Sequence, residues 1–218
     1  MKLSEAMELL KPYVGKRFDS FLPQDVLMDL RTNKGNVGQL LERLIGLANT
    51  SSILDFEDGE LKTNKCDSRG KPLETMFITQ IASSIDEILR KRRFEETHLY
   101  NKIKNLLYVP VSKEGNEGDW FILPIAHVNL SDSRCSILRS QLEADYYSIA
   151  DQLLCHIQTS PDGFIHTSNG EFIQIRSKDS MPYHPIYSMI VGREVSNKNH
   201  AFYFKKKFMH YLNIHLSC

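Results

Sequence analysis

Between positions 55 and 62 the chain reads Asp55-Phe56-Glu57-Asp58-Gly59-Glu60-Leu61-Lys62, which sets four acids and a lysine within eight residues. Carboxylates with free oxygens are the donors a hard ion such as Mg²⁺ prefers, with water filling the remaining positions. A lysine two residues beyond a glutamate then lies beside the ion, placed to orient or help deprotonate a water that attacks phosphorus. An acid followed by Glu-x-Lys is thus a pattern for metal-dependent phosphodiester hydrolysis. The same residues also fit a surface hairpin with an Asp55–Lys62 ion pair of little energetic weight.

The elements that must position these side chains follow from periodicity and turn chemistry. Asp58-Gly59 reads as a two-residue hairpin turn joining short strands within the segment from Ile53 to Thr63. In that register Glu57 faces Glu60, Phe56 faces Leu61 and Asp55 faces Lys62, so Asp55, Glu57, Glu60 and Lys62 share one face. Glu57 opposite Glu60 calls for solvent or a cation to relieve the repulsion. Upstream, Val37, Leu40, Leu41, Leu44 and Ile45 predict an amphipathic helix from Asn36 to Leu47, with Glu42 on its exposed edge.

Downstream, a strand is expected over Thr75–Ile81 and a helix from Ile81 through Leu89 into the basic run Arg90–Arg93. Leu106–Val111 and Trp120–Val128 read as buried strands, and Ser136–Ile157 as a long helix. Strands return at Phe164–Ile165, Gly170–Arg176 and Ala201–Phe204, before an amphipathic segment from Lys205 to Leu216. The longest loop-like stretch is Ser177–Asn199. Mixed elements without strict βαβ alternation or internal repeats indicate an α/β chain.

Composition bounds the alternatives. The 218 residues carry 27 Lys and Arg against 27 Asp and Glu, with 41% hydrophobic residues, as in a globular domain rather than a disordered chain. Neutrality hides a gradient: residues 171–218 hold seven Lys and Arg against three acids, so the first 170 residues are acidic on balance. The apolar runs are too short for a membrane span, and the N-terminal segment lacks the pattern of a secretory signal. Cys66, Cys135, Cys155 and Cys218 form no CxxC pair, so a zinc site or disulfide framework is not expected and a reducing cytoplasm is. No GxSxG or phosphate-binding glycine loop is present, and His127 in its apolar strand reads as a core residue.

Five ordered blocks make the pattern more specific. They are Lys34-Gly35-Asn36-Val37-Gly38-Gln39-Leu40-Leu41-Glu42; Asp55-Phe56 with Glu60-Leu61-Lys62-Thr63; Asp67-Ser68-Arg69-Gly70-Lys71-Pro72-Leu73-Glu74-Thr75; Gly170-Glu171-Phe172-Ile173-Gln174-Ile175-Arg176-Ser177-Lys178; and Phe202-Tyr203-Phe204-Lys205-Lys206. Together they resemble the MutH family of DNA endonucleases, which takes in the mismatch-repair nicking enzyme and related type II restriction enzymes. The resemblance implies a restriction-endonuclease-like α/β core, with a mixed central sheet flanked by helices. It implies one domain over residues 1–218, whose N-terminal arm (about 1–110) and C-terminal arm (about 111–218) form a two-armed DNA-binding cleft. It assigns Asp55 and Glu60 as Mg²⁺ ligands, Lys62 as the catalytic lysine and Glu42 as a further acidic active-site residue. Lys34 and Lys102 resemble backbone-contacting lysines, and Arg176, Ser177 and Lys178 a base-reading loop. Tyr203 resembles a tyrosine that senses methylation, with Lys205 and Lys206 on phosphates.

Arg can bond bidentately to a guanine edge and Lys to its acceptors, which suits the assigned roles. The Asp55–Glu60 interval is shorter than in MutH itself, Asn36 replaces an aromatic and Ser177 a proline. Because these departures are spread through the motifs, the expected activity is that of a type II restriction enzyme with a GATC-like site in double-stranded DNA, for which a homodimer is one arrangement. The alternatives are a mismatch-repair nicking endonuclease with MutL-like and MutS-like partners, and a catalytically inactive DNA-binding module.

Overall fold

A computed structural model describes residues 1–32, 37–47 and 54–217. In chain order the elements are α1 (Leu3–Leu10), α2 (Gln24–Thr32), α3 (Val37–Leu44), β1 (Glu60–Cys66), β2 (Met76–Gln80), α4 (Ile85–Leu89), α5 (His98–Ile103), β3 (Asn105–Ser112), β4 (Phe121–Ile122), β5 (Ala126–Asn129), α6 (Ser136–Thr159), β6 (Ser168–Asn169), β7 (Ile173–Ser177), β8 (Tyr183–Ser188), β9 (Arg193–Asn197), β10 (His200–Phe204) and α7 (Lys206–His215). The chain is mixed α/β with a mixed sheet flanked by helices, as expected, and its described strands form two four-stranded sheets and a separate two-stranded ribbon.

Contacts group the chain into two units that interleave in sequence. One comprises residues 1–76, 104–129 and 209–218; the other comprises 77–103 and 130–208. Both units draw residues from before and after position 110.

The first unit is built on β1 and β3, which run parallel with Glu60 beside Leu106 and Cys66 beside Ser112. The run Leu106–Val111 supplies a strand buried on both faces, as its unbroken apolar character requires. On its other side β4 and β5 lie antiparallel to β3, so the sheet is mixed. The expected single strand Trp120–Val128 is interrupted: three steps along β3, from Tyr108 to Val111, face four on its partner, from Ile122 to Ala126. The extra residue falls beside Pro124, which has no N–H to give a ladder. Helix α3 lays Val37, Leu40 and Leu41 into a core shared with Leu61, Leu107, Val109 and Ile122.

The second unit holds the sheet β2-β10-β7-β6 with α6 packed on β6 and β7. Leu138, Leu142, Ile149 and Leu153 of α6 are buried, as their spacing predicts. Phe164–Ile165 forms no strand, and the short β6 follows it instead. The stretch Ser177–Asn199, expected to be loop, contains the β8–β9 ribbon. The β7–β10 pairing runs on through Lys178 N–H to Asn199 O and Asp179 N–H to Lys198 O, beyond which the ribbon pairs in a shifted register, Tyr183 with Asn197 and Ile186 with Val195. Asp86 on α4 anchors the ribbon's far turn by accepting the Ser188 hydroxyl (2.5 Å) and the Met189 N–H (3.0 Å). No helix among the described residues is long and apolar enough to cross a membrane.

Candidate active site

Residues 54–59 do not make a hairpin. Phe56 N–H donates to Gly59 O within a bend, and Glu57 N–H donates to Met1 O. The Glu57 carboxylate takes the Met1 ammonium at 2.7 Å, and Asp58 Oδ1 accepts the Leu3 N–H at 2.8 Å. Glu57 therefore does not face Glu60, and neither Glu57 nor Asp58 turns toward the reactive residues. Gly59 is required by close approach rather than by a turn: a Cβ there would lie 2.6 Å from the Asn105 carbonyl oxygen. The chain then enters β1 and pairs with β3, 46 positions away, instead of folding back on Ile53, which lies outside the described residues.

Even so, four of the expected residues converge. Alternation along β1 sends Glu60 and Lys62 to the same face, where Lys62 Nζ meets Glu60 Oε2 at 2.8 Å. Glu60 is 3% exposed. Asp55 reaches the same place from the preceding bend, its Oδ2 accepting the Leu61 N–H at 2.9 Å. Burial raises the Asp55 carboxyl above its usual range and the neighbouring Glu60 adds to the rise, against the Leu61 N–H and Lys62. Glu42 arrives from α3, the helix packed on β1. Its carboxyl is also raised, first by burial and then by Asp55, with Lys62 opposing.

Burial and mutual repulsion act on carboxylates gathered around one ammonium. A divalent cation relieves both effects, and Asp55 and Glu60 offer the hard oxygen donors that Mg²⁺ takes. Among the described residues no three His, Cys, Asp or Glu side chains stand close enough to hold an ion between them. The donor set that fits is therefore two carboxylates, with water or phosphate oxygens completing the coordination. A surface hollow of about 440 Å³ lined by residues including Arg17, Arg31 and Asp119 contains none of these groups.

The other expected residues that the structure describes lie in the second unit. Arg176 on β7 stacks its guanidinium 4.5 Å from the ring centroid of Tyr203 on β10. Lys178 stands 5.5 Å over Phe77 on β2, and Phe77 meets Tyr203 edge-on at 5.7 Å. Arg176 and Lys178 are exposed while Tyr203 is 7% exposed, so two cations are presented on an aromatic platform. Lys206 is exposed at the start of α7 and Lys102 is half-buried on α5. The Lys205 ammonium donates to Gly170 O at 2.8 Å, an internal bond that braces the β7 entry. Lys34 lies outside the described residues.

Phe77 was not singled out from the sequence. The signal available was an apolar residue at a strand position that alternation sends away from the core, and the structure leaves it 39% exposed.

A family model described as DNA mismatch repair enzyme MutH matches residues 46–125. The DNA mismatch repair protein MutH of Buchnera aphidicola subsp. Baizongia pistaciae is 27% identical over 204 residues, covering 91% of this chain and 89% of that protein. The chain belongs to the MutH-like family. MutH of Vibrio cholerae serotype O1 strain M66-2 is 32% identical over 157 residues, 69% of this chain and 65% of the relative. MutH of Actinobacillus pleuropneumoniae serotype 3 is 29% identical over 157 residues, 71% of this chain and 66% of the relative. The match to these two relatives thus spans just under two thirds of their length. The span matched by the MutH model takes in Asp55, Glu60, Lys62 and Lys102, and stops short of Arg176 and Tyr203.

Proposed function

We propose that this chain is a metal-dependent DNA endonuclease of the MutH type, which cuts one strand of double-stranded DNA in mismatch repair. The observation that carries this reading is the convergence of Glu42, Asp55, Glu60 and Lys62 in a chain of this family. The relatives are named as mismatch-repair proteins, which favours the nicking reading over the restriction enzyme that the scattered motif departures favoured. Retention of both Glu60 and Lys62 speaks against an inactive binding module.

Asp55 and Glu60 would hold Mg²⁺, which when bound supplies Lewis acidity at the phosphate and charge stabilisation at the leaving 3′ oxygen. Lys62, held by Glu60, is placed to direct an ammonium proton at a phosphate oxygen or at the attacking water. Glu42 adds an oxygen acceptor on the α3 side to orient that water. Arg176 and Lys178, presented by Tyr203 and Phe77, would read base edges of a GATC-like site, and Lys206 would neutralise a backbone phosphate. This reading includes an N-terminal catalytic arm and a C-terminal recognition arm on a restriction-endonuclease-like core, MutL-like and MutS-like partners, and a cytoplasmic setting.

The test is incubation with supercoiled, unmethylated plasmid containing GATC, with Mg²⁺ and with EDTA. Open circles in Mg²⁺ alone, increased by an added MutL-like protein, are expected. Discrete double-strand fragments without a partner would return the restriction reading, where a homodimer would enter. Strand cleavage unaffected by EDTA and by Glu60→Ala would sink the site assignment.

A further inference from the structure

Helix α6 carries an apolar stripe at Leu138, Leu142, Ile149 and Leu153, and in the middle of that stripe stands Asp145. It is 3% exposed. A carboxylate placed where an aliphatic side chain belongs costs stability unless donors surround it. Here four donors do: Oδ1 accepts the Glu171 N–H (2.7 Å) and Gln141 Nε2 (2.8 Å), and Oδ2 accepts the N–H groups of Phe172 (2.6 Å) and Ile173 (3.1 Å). Three consecutive main-chain N–H groups converging on one anion form a nest of the sort that elsewhere binds phosphate. In this chain the anion is built in.

The turn gripped in this way leads directly into β7. Gly170 lies so near that a Cβ would sit 2.4 Å from Asp145 Cγ, so no side chain is tolerated there without a shift. The turn closes on itself through Gly170 N–H to Ile173 O, and Lys205 holds it from the other side through Gly170 O. Ile173 begins β7, and Arg176 follows three residues later, about 10 Å along the strand. A one-residue slip of β7 would turn every side chain to the opposite face and take Arg176 off the Tyr203 ring.

We propose that Asp145 is the positioning residue of the DNA-reading strand, fixing the register of β7 so that Arg176 is presented on Tyr203. The proposal rests on the reading given above that Arg176 contacts DNA.

Asp145→Asn keeps the shape but turns one acceptor oxygen into an NH₂ group that faces main-chain donors. In the full chain, amide hydrogen exchange at residues 171–177 should quicken tenfold or more, while β1 and β3 keep their wild-type rates. Affinity for a GATC-containing duplex should fall at least tenfold, with no further fall when the change is added to Arg176→Ala. A general loss of stability would instead add to Arg176→Ala in full. Gln141→Ala removes a single donor and leaves the carboxylate, so it should show the same pattern at two- to threefold, and it serves if Asp145→Asn does not fold.

Unchanged exchange at 171–177, or an affinity loss of the same factor on the Arg176→Ala background, overturns the proposal. Wild-type protein with no affinity for the duplex marks failure of the DNA-binding reading itself. In that case the exchange data still decide whether Asp145 anchors β7.

Discussion

Gly59→Ala tests whether the entry to β1 is set by close backbone packing. Gly59 has no positive φ, so alanine suits its backbone and the change isolates the steric effect. A methyl group there would lie 2.6 Å from Asn105 O, 2.8 Å from Leu3 Cδ1 and 3.1 Å from Asn105 Nδ2. The first contact is with main chain of β3 and cannot be relieved by a rotamer change; either strand must move by several tenths of an ångström. Such overpacking costs roughly 1–3 kcal/mol, offset by about 0.4–1 kcal/mol from the reduced freedom of the unfolded chain. A net loss of about 1–2 kcal/mol follows, a fall in Tm of roughly 2–8 °C for a chain of this size.

Glu60 is the next residue and Asp55 is bonded to Leu61, so the displacement reaches the carboxylates and plasmid nicking should fall more than tenfold. The matched control is Gly38→Ala in α3. There the added methyl meets only Thr63 Cγ2 at 3.7 Å, an ordinary contact, and helix propensity favours alanine by up to about 1 kcal/mol. Thermal melts and nicking rates of the two variants should move in opposite directions in stability. A Gly59→Ala protein with wild-type Tm and wild-type nicking would refute the view that this approach sets the site.

Glu60→Ala and Lys62→Ala should each lower the nicking rate by at least a hundredfold while duplex affinity stays within a few-fold, as gel shift and plasmid assays can show. Lys206→Ala should weaken binding to all sequences alike and reduce the salt slope by about one, whereas Lys205→Ala should leave that slope unchanged and lower stability by about 1 kcal/mol through loss of its bond to Gly170. Burial in the second unit, with some help from Lys198 and against a main-chain bond to Ile165, pushes the His200 imidazole down to about 4. Because the unfolded chain then binds more protons below its ordinary value near 6.5, stability should fall as pH drops from about 6.5 to 4, and denaturant melts of His200→Asn should lose that slope.

The elements legible from the sequence were those specified by their own residues. The apolar spacing of Val37, Leu40 and Leu41 marks α3, the unbroken run Leu106–Val111 marks β3, and Leu138 to Leu153 marks α6. Asp58-Gly59 carries a local turn signal, but Leu61 and its neighbours gain more from a parallel partner 46 residues away, a pairing that no nearby residue announces. The β8–β9 ribbon was obscured by Pro182 and Pro185, although Ile186 and Ser188 face inward while Tyr183, Pro185 and Tyr187 face outward, as period two demands. Motif order drew Glu42, Asp55, Glu60 and Lys62 together without the correct local geometry. Asp145 stayed hidden because three of its four partners are main-chain amides, which have no sequence signature.

The interleaving of the two units also bears on the order in which the protein can assemble. During synthesis β1 emerges well before residues 105–112, so the strand bearing Glu60 and Lys62 waits without its hydrogen-bonded neighbour while residues 77–103, which belong to the other unit, pass by. The first unit is completed only by residues 209–218, at the end of the chain described. The charged side chains of β1, Glu60, Lys62 and Lys65, then have a second use, as charges that keep an unpaired strand soluble until β3 arrives.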